Sequence, residues 1–157
     1  MPRVIPSLEI GKPREDELEW AASLMAGSEP WITLDRGLDA CREACRRTDL
    51  RAFVARQGAA PLGFVLVHPR GVAGSPYIAS IGVAPEARGR KVGRRLMAFV
   101  EDLFRPQSRH IFLCVSSFNG RAQKFYEDLG YARVGEFPDY VVDGASEILM
   151  HKWLRRS

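Results

Sequence analysis

Between Ile78 and Leu103 a short apolar run leads into a turn carrying Arg88, Arg90, Lys91, Arg94 and Arg95, with Gly89 and Gly93 set among them. A helical period begins there, because Val92, Leu96, Phe99, Val100 and Leu103 fall at i, i+4, i+7, i+8 and i+11 and form one apolar stripe. The charge has the wrong sign for a helix start, where free N–H groups sum to a partial positive charge and favour Asp or Glu. Cations crowded at that end repel one another unless an anion lies among them. A phosphate held by helix N–H groups is the anion this arrangement suits, and the glycines keep side chains out of its way. A solvated basic patch is the competing reading of the charge alone.

Two familiar phosphate cradles are absent: the sequence has neither Gly-x-x-x-x-Gly-Lys-Ser/Thr nor, at this turn, Gly-x-Gly-x-x-Gly. Arg88-Gly89-Arg90-Lys91-Val92-Gly93 instead resembles the pyrophosphate arm of the GNAT superfamily of acyl-CoA-dependent N-acyltransferases, Arg/Gln-x-x-Gly-x-Gly/Ala. It matches at the first and last positions and has Lys91 where the family usually has Gly; a Lys there offers its backbone N–H if φ is negative. Downstream, Asn119-Gly120-Arg121-Ala122-Gln123-Lys124-Phe125-Tyr126-Glu127-Asp128-Leu129-Gly130-Tyr131 is similar to the second signature, Asn-x-x-Ala-x-x-Phe/Leu-Tyr-x-x-x-Gly-Phe/Tyr.

The resemblance implies acetyl-CoA as cosubstrate and places it residue by residue. Arg88, Gly89, Arg90, Lys91, Val92, Gly93 and Arg94 would hold the diphosphate. Ile81, Gly82 and Val83 would meet the pantetheine through main chain, with an N–H near Val83 facing the thioester oxygen, where negative charge develops. Asn119, Ala122 and Phe125 would lie along the pantetheine, and the Tyr126 hydroxyl would face the sulfur as general acid. A phenol suits proton donation to sulfur, since an ordinary tyrosine (about 10) lies only about 1.5 units above a leaving thiol (about 8.5) and a small environmental shift offsets the difference. A core tyrosine on an amphipathic helix is the plain alternative.

The proton leaving the attacking amine has no evident acceptor. Relatives that acetylate ribosomal-protein amino termini carry a Glu where this chain has Cys114, and others carry one where it has Tyr77. Water-mediated deprotonation, helped by Ser116 or Ser117, is the expectation. Around the acceptor the resemblance places Trp31, Tyr77, Cys114, Phe137 and Tyr140, with Glu29, Asp35, Glu136 and Asp139 nearby. That mixture suits a cationic amine on an apolar body: a peptide amino terminus, a lysine, a polyamine or a drug. Two other readings stand beside N-acetyl transfer: a non-catalytic acyl-CoA sensor, and a basic nucleic-acid-binding domain using the Arg88–Arg95 helix.

The 157 residues form one expected domain, with 46% hydrophobic and 27% charged residues. A net charge of +4 is too mild to indicate nucleic acid by itself, being concentrated near 88–95 and at Arg155 and Arg156. No apolar run approaches the ~20 residues of a membrane span, so a cytoplasmic protein without a membrane partner is expected, as monomer or homodimer. Cys41, Cys45 and Cys114 fit a reducing compartment. The i, i+4 pair Cys41 and Cys45 finds no spaced histidines to complete a metal site, and buried thiols are expected instead.

The elements that must position these residues follow in chain order. Val4–Ile10 reads as an edge strand, Glu15–Ala26 as a helix with acids in its first turn, and Asp35–Thr48 as a second helix capped by Asp35. Leu50–Arg56 and Leu62–His68 read as a hairpin, Pro69–Pro76 as a loop, and Ile78–Val83 as a strand buried on both faces. After the arm helix come a strand at His110–Val115, a helix at Asn119–Leu129 closed by Gly130, and strands at Tyr131–Val134 and Ile148–Trp153. The order β-α-α-β-β-β-α-β-α-β-β is that of the GNAT fold: α/β (α+β), a mixed sheet of about seven strands, splayed at its centre, with four helices.

Overall fold

The computed structural model describes residues 7–155, so the expected strand at Val4–Ile10 and the basic Arg156 lie partly or wholly outside the described residues. The described chain contains β1 (Leu8–Gly11), α1 (Glu15–Ala26), α2 (Leu38–Cys45), β2 (Arg51–Gln57), β3 (Ala60–Val72), β4 (Ser75–Val83), α3 (Val92–Phe104), β5 (His110–Ser116), α4 (Gly120–Asp128), β6 (Ala132–Phe137) and β7 (Glu147–Trp153). A single seven-stranded sheet runs β1-β2-β3-β4-β5-β7-β6. All adjacent pairs are antiparallel except β4 with β5. This is the expected mixed sheet in the expected element order.

The parallel pair holds the fold's main asymmetry. It is in register only at Tyr77 with Phe112 and Ile78 with Leu113, after which the two strands part. Ser80–Val83 therefore pair with β3 on one side and, among the described residues, have no strand on the other. Ala79 is exposed and residues 80–83 are half-buried, which corrects the expectation of a strand covered on both faces. On that side the main chain of β4 beyond Ile78 is left without a strand partner among the described residues.

Helices cover the sheet on both sides. On one face, α3 and α4 pack through Leu96, Val100 and Tyr126 onto Ile111, Leu113, Val115, Ile148 and Met150. On the other, α1 and α2 pack through Ala22, Met25, Cys41 and Cys45 onto Val54, Phe64 and Leu66. Met97 and Phe104 join the buried stripe of α3, while Phe99 and Leu103 are only partly buried. The helix sits close to the sheet because β3 has Gly63 beneath it. A Cβ there would lie 2.9 Å from Val92 Cγ1 and 3.0 Å from Leu96 Cδ1.

Two expectations about boundaries change for local reasons. Asp35 has φ of 55° and does not cap α2; an N-cap needs extended backbone, and Gly37 supplies it. The Pro69–Pro76 stretch is no loop: β3 and β4 continue to a tight turn at Ala73 and Gly74, both at positive φ as a two-residue hairpin requires. Pro69, Gly71 and Pro76 occupy a bulge, where the register skips from His68 to Val72 against Tyr77 and Ser75.

Two buried carboxylates tie the layers together. Glu17, in the first turn of α1, is fully buried rather than solvated, and Arg56 of β2 donates to both its oxygens at 2.8 and 2.7 Å. Glu101 of α3 accepts from the Tyr131 hydroxyl at 2.9 Å and from Lys152 Nζ of β7 at 2.7 Å.

Candidate active site

The basic turn enters α3 through backbone that only its sequence context makes tolerable. Gly89 has φ of 76° and Lys91 has φ of 64°, so Lys91 adopts the left-handed conformation and the expectation of negative φ there is corrected. Left-handed residues alternating with an ordinary one turn successive N–H groups toward a common point, which makes an anion-binding concavity. Among the described residues, the amides of Gly89, Arg90 and Lys91 make no main-chain bond. Val92, Gly93 and Arg94 add the donors that a helix leaves free in its first turn. No carboxylate among the described residues pairs with Arg88, Arg90, Lys91 or Arg94. Arg90 Nε is buried without a hydrogen-bond partner, an unsatisfied donor beside this concavity. Arg95 leaves the group by turning away, its Nη2 donating to the Leu8 carbonyl at 3.3 Å.

Glycines set how closely the parts approach. A Cβ on Gly93 would touch Phe125 Cζ at 3.4 Å and Val83 Cγ2 at 3.5 Å, so Phe125 packs over the start of α3 and joins the two signatures. On β4, a Cβ at Gly82 would lie 2.5 Å from Phe64 Cε1, and the missing side chain is therefore a packing necessity.

The gap between β4 and β5 opens into a cleft of about 400 Å³. Ile81, Asn119, Ala122 and Tyr126 line it together with Trp31, Tyr77, Cys114, Phe137 and Tyr140, which brings the expected catalytic and acceptor residues into one space. Gly82, Val83 and the arm residues lie outside its lining, and so do Asp35, Glu136 and Asp139. Asp139 instead accepts from the Gly144 amide within its own loop. Glu29 does line the cleft, with both oxygens taken by Thr33, its amide at 2.9 Å and its hydroxyl at 2.7 Å. Trp31 is buried against Phe64, with ring centroids 6.2 Å apart, and also forms part of the cleft wall.

Sequence periodicity did not single out Glu147, Arg36 or Pro30, which also face the cleft. Glu147 stands at the start of β7 directly across from Ser116, whose hydroxyl donates to Glu147 Oε2 at 2.7 Å. A lone acid before an apolar run carries no periodic signal, and only the strand register shows its partner.

The titrating groups share one environment. Burial pushes the Tyr126 phenol well above its ordinary range. Tyr77 is raised as well, by burial and then by the neighbouring Cys114 thiol. Cys114 is raised chiefly by burial, with the Glu147 charge adding to it. For Tyr126 this reverses the expected small helpful shift: the phenol holds its proton more firmly than in water. Burial disfavours a thiolate in an apolar space in the same direction. Asn119 caps α4, its side chain accepting from the Ala122 amide at 3.2 Å, which fixes the turn that presents Tyr126.

The acetyltransferase (GNAT) family pattern matches residues 15–131. The chain belongs to the GNAT acetyltransferase family. Nourseothricin acetyltransferase is 30% identical, over 69% of this chain and 67% of its own, with a TM-score of 0.63. A putative GNAT acetyltransferase from Desulfovibrio desulfuricans has the same fold over 94% of this chain and 99% of its own, at 16% identity and a TM-score of 0.79. An aminoglycoside 6'-N-acetyltransferase complexed with coenzyme A superposes over 95% of this chain and 98% of its own, at 18% identity and a TM-score of 0.75.

As a GNAT acetyltransferase, this protein is an acetyl-CoA-dependent acyltransferase, and its residues fit the cosubstrate. The unsatisfied Arg90 Nε, the free amides of the turn and the unpaired edge of β4 are donors that a diphosphate and an extended pantetheine would satisfy. Among the described residues no helix is long and apolar enough to cross a membrane, and no group of three or more metal-ligating side chains occurs.

Proposed function

We propose that this GNAT acetyltransferase moves the acetyl group of acetyl-CoA directly to a primary amine within a ternary complex. The observation that carries the reading is the gap between β4 and β5, which joins the face bearing α3 and α4 to the face bearing the acceptor-side residues. Acetyl-CoA supplies an activated acyl carbon and a thiol leaving group. Arg88, Arg90, Lys91 and Arg94 hold its diphosphate with the turn amides, and Ile81 to Val83 present main chain to the pantetheine. A covalent route through Cys114 is disfavoured, because burial holds its thiol protonated and the thiolate is the nucleophile.

Tyr126 acts as the proton donor to the departing sulfur. It reaches the cleft from the face opposite Glu147, its hydroxyl makes no hydrogen bond within the described residues, and burial keeps it protonated. The acceptor is a cationic amine on an apolar body. Phe137 and Tyr140 offer exposed aromatic faces whose ring centroids lie 5.2 Å apart, and Trp31 lines the same cleft.

Thiol release measured across amines (a peptide amino terminus, a lysine peptide, spermidine and nourseothricin) tests the reading. The decisive variant is Tyr126→Phe, expected to lower kcat by roughly 10²–10⁴-fold, as loss of a general acid does, with acetyl-CoA affinity by calorimetry unchanged. An unaltered kcat removes Tyr126 from the reaction.

A further inference from the structure

We infer that Glu147 is the group that binds the acceptor's ammonium and takes its proton before attack. The inference rests on the N-acetyl-transfer reading above and adds to it the proton acceptor that neither signature provides. An ammonium has no lone pair, so an alkylamine that is charged at neutral pH must lose a proton in or near the site.

The geometry restricts the choice. Alternation along β5 sends Ile111, Leu113 and Val115 to the α3/α4 face and leaves Cys114 and Ser116 on the other. Glu147, paired with Ser116 in register, lies on that second face, since Ile148 and Met150 point to the first. A nucleophile held by Glu147 therefore approaches the gap from one face of the sheet while Tyr126 reaches the leaving sulfur from the other.

Glu29 is the second carboxylate of the cleft, and its oxygens are engaged by Thr33. Glu147 uses Oε2 to accept from Ser116 and has Oε1 uncommitted among the described residues. Ser116 is almost fully buried, so it fixes the carboxylate on the cleft wall rather than letting it swing into water. The groups beside it are Tyr77 from β4 and Cys114 from β5, both sensitive to its charge and both protonated, while Arg36 and Tyr140 also line the cleft and Arg36 forms no ion pair with Glu147 among the described residues.

In the balanced step, one N–H bond of the ammonium breaks and its proton passes to Glu147 Oε1, which later gives it to solvent. The freed lone pair forms the N–C bond as the C–S bond breaks. Tyr126 protonates the sulfur, and the second proton lost by nitrogen restores the phenol. The products are the amide, the free thiol and one proton in solution.

The test compares wild type with Glu147→Gln, which keeps the shape and the Ser116 contact, on two nucleophiles. Spermidine is an ammonium at pH 7.5 and needs a base; hydroxylamine is already neutral there and does not. Thiol release with spermidine should fall at least ~100-fold, while that with hydroxylamine should stay within about threefold of wild type. The spermidine deficit should also narrow as pH rises toward the amine's own value, about 10 for an alkylamine. Calorimetry of spermidine binding to the CoA-loaded protein should show weakened affinity in Glu147→Gln. Equal losses with both nucleophiles would mark Glu147 as merely structural and overturn the inference, as would no loss with either. Failure of the underlying reading looks different: wild type that binds acetyl-CoA but releases no thiol with any amine removes both.

Discussion

Arg90 offers a test in which one substitution should move two observables in opposite directions. Its Nε is buried without a partner, and an unmet donor of this kind costs about 1–3 kcal/mol. The low end applies because Arg90 is only half-buried and the rest of the guanidinium can reach solvent. Arg90→Met keeps the unbranched stem and deletes the donor, so the free protein should gain about 1 kcal/mol, or roughly 2–4 °C in Tm for a domain of this size. With acetyl-CoA the sign reverses. A charge-assisted bond to the diphosphate is worth about 1.5–3 kcal/mol, which corresponds to roughly 10–150-fold in affinity. At a ligand concentration of about 100 times the wild-type Kd, wild type gains about 2.7 kcal/mol, whereas a variant weakened ~30-fold gains about 0.9. Thermal unfolding with and without acetyl-CoA, with calorimetric Kd values, reads both effects. The variant should therefore be the more stable protein alone and the less stable one when saturated. A lowered Tm without ligand would show that Nε is satisfied in solution, and an unchanged Kd would show that the diphosphate does not reach it.

Further outcomes follow from the same geometry. Lys91→Gly should stabilise the protein by about 0.5–1 kcal/mol in urea unfolding, because left-handed backbone costs a side chain more than glycine's extra freedom costs the unfolded chain. Its acetyl-CoA Kd should rise only severalfold, the loss of one surface charge. Glu17→Gln should cost about 3 kcal/mol at pH 7, since it breaks a buried pair with Arg56. The hydrogen bond from Arg56 holds the Glu17 carboxyl below its ordinary 4.5, so its stabilisation is complete above that value and is lost as pH falls through the lower folded one. The urea-midpoint difference between wild type and Glu17→Gln should accordingly shrink below pH 4.5. Iodoacetamide at pH 8 should label half-buried Cys114 first, and acetyl-CoA should slow it. Cys41 is raised by burial and Cys45 is pushed up to about 11, so neither should react until the protein is denatured.

Much of this was legible from residue order. The arm turn could be read because five cations at a glycine-rich helix start contradict the helix dipole, and a contradiction of that kind needs no neighbours to be seen. Glu15–Ala26 was legible to the residue, since acids, an apolar period and Gly27 mark both ends. The Asn119 to Gly130 helix was legible for the same reason, a side-chain cap at one end and a left-handed glycine at the other.

Other features belong to the folded chain alone. Positive φ at Lys91 arises from how the turn enters α3, and nothing in a lysine announces it. The opening beside β4 depends on where β5 departs from it, so an apolar run that reads as covered is half open. Glu17 reads as one more first-turn acid until Arg56, distant in sequence, arrives across the sheet edge. Glu147 gains its place only from pairing with Ser116, a contact spanning two secondary-structure elements. Local chemistry is written in neighbouring residues and survives as sequence pattern. Contacts between strands far apart in the chain are fixed by register and packing, and those decided which acids are buried, which cations are free and what faces the cleft.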